Sequence, residues 1–446
     1  MLKTEGLKTI KLAIPVAFGE LAQMSLHLID AAMVGKISYQ HLAASALVMS
    51  VVNIPFILAI GLTIAVSQMV SLAHGKQDKH LVSHYFYNGF IICLVFGTLI
   101  SLSLVMGVNV LDYFKQDPEV VALAKPFMQL ISWSIIPMIA FMALKQFTDG
   151  LEFTKTAMLL SIIAIPINTI LAWCLIFGHW GFPKLELIGA GYATLCTRIF
   201  IAVVLFLVIY FHKTFKPYIA LKKESWNLKK KTIYSLLKIG VPSSLQVTME
   251  AGAFAISGII IGTIGVREQA AHHIALSLAS FTFMISMGLS QAGSIRTSNA
   301  FGKNNWTKIQ NIGKSTLVIA IAYGILCMLI YVLFRNQLPY IFNNDKDVVQ
   351  MAAVLLLWAA IFQISDSTQA VAAGLLRGIK DVNIPTYLIA IAYWVIGIPI
   401  GFCLAKYTYL GASGIWIGFI LGLTISSIFL SMRFLKLSKK QQLNHL

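Results

Sequence analysis

Charged residues are scarce in this sequence. Only 11% of the 446 residues are charged, whereas charged residues make up about a quarter of ordinary soluble domains. Hydrophobic residues make up 58%, and the mean hydropathy is +0.80. This composition excludes a soluble cytosolic enzyme and a secreted domain, and it indicates an integral membrane protein.

The sequence also lacks the motifs of common enzymes and metal proteins. Its five cysteines lie singly inside apolar runs, with neither metal-ligand spacing nor a paired arrangement. There is no G-x-x-x-x-G-K-[ST] loop for ATP, no H-E-x-x-H helix and no G-x-S-x-G turn. ATP-driven pumping within this chain is therefore excluded, and an enzyme is not expected.

Long apolar runs, in contrast, are abundant. A helix needs about 20 apolar residues to cross the hydrocarbon core, and a β-barrel would show short alternating strands instead. The sequence therefore predicts an all-α integral membrane protein with twelve transmembrane helices. The predicted spans are 10–35, 44–73, 82–110, 122–148, 156–178, 187–211, 233–264, 271–299, 309–334, 348–376, 384–405 and 412–434.

The net charge of +17 could indicate nucleic-acid binding, but the positions of the basic residues give another explanation. If the N-terminus is cytoplasmic, the inner loops and tails hold 22 of the 34 Lys and Arg residues and the outer loops hold 8. Lys145 is counted here in an inner loop. Because basic residues favour the cytoplasmic side, this bias predicts that both termini are cytoplasmic and that no nucleic acid is bound.

The two halves of the chain are repeats. A single constant offset aligns Pro, Gly, Ala and Ser positions of the second half with those of the first, and each half holds six predicted spans. The halves are therefore predicted to be parallel repeats related by a pseudo-two-fold axis along the membrane normal. The predicted domains are an N-terminal six-helix lobe at 1–212, a basic cytoplasmic linker at 213–232 and a C-terminal six-helix lobe at 233–446. The aligned residues include Pro15 with Pro242, Gly61 with Gly288 and Ser67 with Ser294.

Three acidic residues lie inside predicted spans. A charge at the bilayer centre costs about 2.5–3.5 kcal/mol on insertion scales, so such residues are candidates for function by default. Asp30 lies in the first span, Glu250 in the seventh and Asp366 in the tenth. Counting the helical rise from each end places Glu250 and Asp366 at similar depth, so they could meet within one half. A buried structural carboxylate is the alternative at each position.

One face of the first span is polar. Glu20, Gln23, His27 and Asp30 are spaced by three, four and three residues, which places them on one side of a helix. This stripe is predicted to line a wet cavity. Glu20 is equally compatible with a solvated residue at the rim, and His27 with a hydrogen-bonded core residue.

Several segments resemble one transporter family. IPVAFGELAQMSLHLIDAAMVG in the first span, FTDGLEFTK after the fourth, SIRTSNAFGK after the eighth and DSTQAVAAGLLRGIKD in the tenth are similar to the multidrug and toxic compound extrusion family, NorM-like branch. The likeness extends over nearly the whole chain. It implies a twelve-helix, two-lobed exporter of cationic and amphipathic drugs, driven by inward flow of sodium ions or protons.

The resemblance also implies site residues. A cation site for sodium corresponds to Glu250 and Asp366, and an acidic site in the other half corresponds to Asp30 with Asn168 and Thr194 as neighbours. The sequence departs from the family pattern at two positions, because Phe362 replaces a tyrosine one turn before Asp366 and Ala172 replaces an acidic residue four positions after Asn168. The full set of candidate cation-coupling and substrate-binding residues is Glu250, Asp366, Asp30, Asn168, Thr194, Gln23, Phe362 and Gln369.

The predicted function is secondary active multidrug efflux by sodium or proton antiport through alternating access. No cofactor is expected apart from the coupling ion. The expected partners are small amphipathic cations and membrane lipid, with no obligate protein partner, so a monomer suffices. The expected location is a bacterial inner membrane. The alternatives are a lipid-linked-oligosaccharide flippase of the same broad superfamily and, from another class, an intramembrane hydrolase in which Glu250 and Asp366 activate water.

Overall fold

The computed structural model describes residues 2–114, 116–219 and 227–444, and within these ranges the regular structure is helical without any strand. Twelve helices are long and apolar enough to span a membrane, which confirms the twelve predicted spans. They are α1 (Leu2–Gly35), α2 (Tyr39–Gly75), α3 (Lys79–Met106), α4 (Pro118–Gly150), α5 (Thr154–Phe177), α6 (Glu186–Phe211), α7 (Lys230–Gly262), α8 (Val266–Gly302), α9 (Trp306–Phe334), α10 (Lys346–Gly378), α11 (Asn383–Tyr407) and α12 (Ala412–Asn444).

The connections are short and contain small helices of their own. Three are 3₁₀ turns, at Val108–Phe114, His179–Gly181 and Leu338–Ile341, and one is a short α-helix at Lys216–Ile219. Helix α11 is composite, because a π-helical segment, Ile391–Gly397, separates α-helical segments at Asn383–Ala390 and Ile398–Tyr407.

Most helices begin before the predicted apolar runs, and capping side chains such as Ser38 before α2 and Asp78 before α3 mark where those helices start. The first helix begins at Leu2 rather than near residue 10. Lys145 was placed in an inner loop by its charge, but it lies inside α4 and is 3% exposed. That placement was wrong, since a buried lysine on a helix carries no information about which loops are cytoplasmic.

The turns after α2 and α8 have the same construction. Asp78 caps α3 by accepting a hydrogen bond from the Leu81 amide, and Asn305 caps α9 by accepting one from the Lys308 amide. The residue before each cap has left-handed backbone, with φ of 59° at Gln77 and 53° at Asn304. The two turns occupy equivalent positions in the aligned halves, so the sequence repeat is also a repeat of local geometry.

Close helix contacts explain why glycine and serine recur at equivalent positions of the two halves. A Cβ on Gly150 would lie 2.8 Å from the Ser67 carbonyl oxygen, and one on Gly378 would lie 2.7 Å from the Ser294 carbonyl oxygen. A Cβ on Gly61 would overlap the Ser244 Cα atom, and one on Gly288 would lie 2.9 Å from the Ala13 carbonyl oxygen. Small residues at such crossings let helices approach closely within a membrane, where packing replaces the hydrophobic effect.

The chain folds into two compact units. One comprises Phe18–Ser244 and the other comprises Met1–Ala17 together with Leu245–Leu446. The boundaries fall inside α1 and α7, just after Pro15 and Pro242, each of which interrupts the backbone hydrogen bonds of its helix. Each unit has its own apolar core.

The boundaries of the two units lie at equivalent positions of the two repeats, since each follows one of the two aligned prolines. Each unit therefore combines most of one repeat with the first part of the other repeat's first helix. The predicted division into 1–212, 213–232 and 233–446 stays a prediction about domains. Residues 220–226 of the predicted linker lie outside the described residues.

Candidate functional site

In the unit Phe18–Ser244, Asp30 is held by hydrogen bonds from two other helices. Asn168 Nδ2 on α5 donates to Asp30 Oδ1 at 2.5 Å, and Thr194 Oγ1 on α6 donates to Asp30 Oδ2 at 3.2 Å. Thr197 Oγ1 then donates to Asn168 Oδ1 at 3.1 Å, which fixes the orientation of the amide. The structure therefore brings together the three residues that the family resemblance grouped.

A buried arginine completes this cluster and was missed from the sequence. Arg198 follows Thr197 on α6, is buried, and interacts electrostatically with Asp30 and His27. Its Nη1 atom donates to Ser134 Oγ at 2.7 Å. The sequence alone could have identified Arg198, because a basic residue inside a predicted span is a candidate for function just as an acidic one is.

The inner part of the polar stripe on α1 is also paired. Lys145 Nζ on α4 lies 2.5 Å from Glu20 Oε1, and Gln23 Nε2 donates to Ser161 Oγ on α5 at 3.4 Å. Asp149, one turn after Lys145, is buried and interacts electrostatically with it. Glu20 is therefore the partner of a buried base rather than a solvated residue at the rim.

In the other unit, Glu250 on α7 and Asp366 on α10 are electrostatic neighbours. Tyr393 on α11 donates its hydroxyl to Glu250 Oε1 at 3.3 Å. Arg377 also interacts with Glu250, while its Nη2 atom donates to Gln246 Oε1 at 3.3 Å. The two acids therefore interact electrostatically within one unit, from α7 and α10.

Buried acceptor atoms follow one face of α10. Gln363 Oε1, Asp366 Oδ1 and Gln369 Oε1 are spaced by three residues and have no hydrogen-bond partner within the described residues. Orphaned acceptors in a membrane interior are stabilised by a proton or a cation. The described ranges contain no cluster of three His, Cys, Asp or Glu residues for a metal, so a cation here would need neutral oxygens as well as the two carboxylates.

A cluster of aromatic rings includes residues one turn from each of the two acids. Phe254, one turn after Glu250, packs against Phe362, Tyr393 and Phe419 with centroid separations of 6.0, 5.8 and 5.2 Å. Phe362 also contacts Trp416 at 5.5 Å. Phe362 therefore contributes an apolar ring to this site and no oxygen ligand.

The π-helical segment of α11 positions Tyr393. The next residue, Trp394, donates its indole N–H to the Met249 carbonyl oxygen at 3.2 Å, so two consecutive residues of α11 contact two consecutive residues of α7. On the other side, Gly418 and Gly422 of α12 press directly against the backbone of this segment. Tyr393 was missed because its sequence, AYW in an apolar run, does not reveal a π-helical register.

Comparison with known proteins identifies the family. The MatE family model matches residues 15–174 and 242–403, two segments that begin at the aligned prolines of the two halves. The probable multidrug resistance protein NorM of Rhizobium meliloti (strain 1021) is 32% identical, covering 97% of this chain and 93% of that protein. The multidrug resistance protein NorM of Vibrio cholerae serotype O1 is 29% identical, covering 98% and 97%.

Solved structures show the same fold. The eukaryotic MATE transporter AtDTX14 superposes with a TM-score of 0.89 and 21% identity over 100% of both chains. An outward-facing multidrug resistance MATE family transporter of the MOP superfamily superposes with a TM-score of 0.90 and 19% identity over 98% and 97%. The chain therefore belongs to the MatE family and is an integral membrane transporter of the NorM type, not an enzyme.

Proposed function

We propose that this transporter exports amphipathic cations in exchange for sodium ions or protons that flow inward. The relatives of about 30% identity are named multidrug resistance proteins, and the composition supplies an apolar interior with few charges. The observation that carries the proposal is the pair Glu250 and Asp366, of which Asp366 is buried and has an acceptor oxygen that no donor satisfies within the described chain.

The chemistry of this pair suits ion coupling. Two neighbouring carboxylates in a medium of low dielectric either share a proton or recruit a cation, because a second bare negative charge is poorly stabilised. Sodium binds to oxygen ligands, which the acids and the Tyr393 hydroxyl provide. A drug cation that binds the opposite conformation more tightly is released when the ion binds. Each ligand shifts the equilibrium between the two conformations according to the difference in its affinity for them.

The driving force is adequate. One monovalent charge moving inward releases about 2.3 kcal/mol per 100 mV, which supports roughly fifty-fold accumulation of an exported substrate. Alternating access between two conformations is the mechanism that connects this energy to transport. Asp30 is a second coupling position, where Asn168 and Thr194 hold the carboxylate and Arg198 supplies a resident positive charge.

We further propose a monomer in the bacterial inner membrane with both termini in the cytoplasm. The excess of basic residues in the loops assigned to the inside supports this orientation, and it stands after Lys145 is removed from the count. Surrounding lipid is then the partner of the apolar surface, and no protein partner is required.

The test is ethidium efflux from everted membrane vesicles with sodium and pH gradients imposed separately. Asp366→Asn and Glu250→Gln should abolish ion-driven efflux, whereas Asp347→Asn should not. Asp347 is the matched control because it lies on the same helix but forms an exposed pair with Arg267, and exposed pairs contribute little.

The outcomes separate the coupling sites. Sodium-driven efflux that is lost in Asp366→Asn supports coupling at Glu250 and Asp366. Efflux driven by pH alone and lost in Asp30→Asn moves the coupling to α1. Efflux driven by neither gradient refutes antiport and favours the flippase alternative.

A further inference from the structure

The Glu250 and Asp366 site lacks an oxygen at the position where the family pattern offers one. Phe362, one turn before Asp366, is 2% exposed and packs its ring against Phe254 and Trp416. The neighbouring Gln363 uses its amide N–H to donate to Thr282 Oγ1 at 2.8 Å. The hydroxyls next to Asp366 on α10 are engaged elsewhere: Ser365 hydrogen-bonds with Thr424, Ser367 donates to the Ala320 carbonyl oxygen, and Thr368 donates to the Ile364 carbonyl oxygen.

A hydroxyl reaches the same acids from α11. Tyr393 is 1% exposed, its O–H donates to Glu250 Oε1 at 3.3 Å, and the phenol interacts electrostatically with both Glu250 and Asp366. A tyrosine in this position places one neutral oxygen beside two carboxylates. Three oxygens from three different helices are the start of a coordination shell for a hard monovalent cation.

The backbone of α11 is specialised at this residue. The π-helical segment Ile391–Gly397 carries one extra residue in the turn, and such segments are frequent at functional sites. The segment is held on one side by the hydrogen bond from the Trp394 indole to the Met249 carbonyl oxygen. Two glycines of α12 pack against it on the other side, and a Cβ on Gly422 would overlap the Ala392 carbonyl oxygen. These contacts orient the Tyr393 side chain toward Glu250.

We propose that Tyr393 supplies a hydroxyl ligand to a sodium ion held between Glu250 and Asp366, in place of the oxygen that position 362 lacks. The proposal rests on the proposed antiport function. A sodium ion here would be held by the carboxylates of Glu250 and Asp366 and by a lone pair of the Tyr393 oxygen, which is not used when that hydroxyl donates its proton to Glu250.

The test measures how sodium stabilises the purified transporter against heat in detergent, with choline replacing sodium at constant ionic strength. A ligand that binds only the folded state raises Tm with concentration, so the half-effective sodium concentration reports its affinity. Tyr393→Phe removes only the hydroxyl and should raise that concentration on the order of ten-fold. Asp366→Asn should remove the sodium effect.

A rescue variant separates ligand binding from structural support. Phe362→Tyr in the Tyr393→Phe background returns a hydroxyl from α10, one turn before Asp366, and should recover most of the lost sodium affinity. If Tyr393 only donated a hydrogen bond to Glu250 and did not bind sodium, Tyr393→Phe would lower Tm equally with and without sodium. That result overturns the proposal.

The glycines of α12 give an independent test. Gly422→Ala should weaken sodium stabilisation by displacing the π-helical segment. Gly258→Ala on α7 is its matched control, because open space surrounds that position.

Failure of the proposal is distinguishable from failure of the function. If sodium stabilises the wild type and Asp366→Asn abolishes the effect while Tyr393→Phe leaves it unchanged, the Tyr393 assignment fails and sodium coupling stands. If sodium has no effect on the wild type, both the sodium site and the Tyr393 assignment fail, and the pH arm of the efflux assay then decides whether proton antiport remains.

Discussion

The ion pair between Glu20 and Lys145 gives a quantitative prediction about stability. The Lys145 side chain is 4% exposed and the Glu20 side chain 23%, and Asp149 adds a second buried acid beside the same lysine. Lys145→Met removes the counterion of Glu20 and the positive charge beside Asp149. Breaking a buried pair by removing one partner costs about 3–5 kcal/mol, because the remaining charge stays desolvated.

A double-mutant cycle tests the physical reason. Lys145→Met combined with Glu20→Gln removes one of the stranded acids, so the double variant should be more stable than Lys145→Met alone. Lys184→Met is the matched control, since Lys184 forms an exposed pair with Glu186 worth about 0–1 kcal/mol.

The assay is thermal unfolding of the purified protein in one detergent, followed by tryptophan fluorescence. At about 2–4 °C per kcal/mol for a unit of this size, Lys145→Met should lower Tm by about 6 °C or more. The control should shift Tm by little. Equal Tm values for the two lysine variants, or a double variant no more stable than Lys145→Met, would refute the reasoning.

Three further predictions follow from single contacts. Arg296 donates to the Glu5 carboxylate and to Thr9 Oγ1 at 2.5 Å, so Arg296→Met should destabilise the protein by about 3 kcal/mol, measured by thermal unfolding. Asn168→Ala removes a hydrogen bond to Asp30 and should slow ethidium efflux on the order of ten-fold at unchanged expression. Gly61→Val introduces a side chain where helix backbone is in contact, and should reduce the monodisperse fraction in size-exclusion chromatography, whereas Gly258→Val should not.

The fold could be predicted from the sequence because the bilayer imposes simple rules. Twelve apolar runs became twelve helices, and the repeat of the two halves reappeared in caps, turns and glycine contacts. The spacing of Glu20, Gln23, His27 and Asp30 predicted one helical face. Glu20, Gln23 and Asp30 have hydrogen-bond partners on α4 or α5, and His27 interacts electrostatically with Arg198 on α6. The helices and the polar face of α1 could be predicted because both depend on the local periodicity of the sequence.

What could not be predicted depends on tertiary contacts. Lys145 was assigned to a loop because a lysine is expensive in a membrane, and only the Glu20 contact shows how its charge is compensated. Tyr393 reaches Glu250 because α11 is π-helical at that turn, and no pattern of residues near 393 indicates this register. The roles of the candidate site residues remain predictions that the transport and binding assays above test.

The central claim is that Glu250 and Asp366 couple ion entry to drug exit. The most direct measurement follows uptake of radiolabelled sodium and the internal pH of proteoliposomes that contain the purified transporter, with and without ethidium on the side from which it is exported. The account predicts that ethidium accelerates movement of sodium or protons in the opposite direction, and that Asp366→Asn abolishes this exchange while Asp347→Asn preserves it. Ethidium export without any opposing sodium or proton movement, or undiminished exchange in Asp366→Asn, would contradict it.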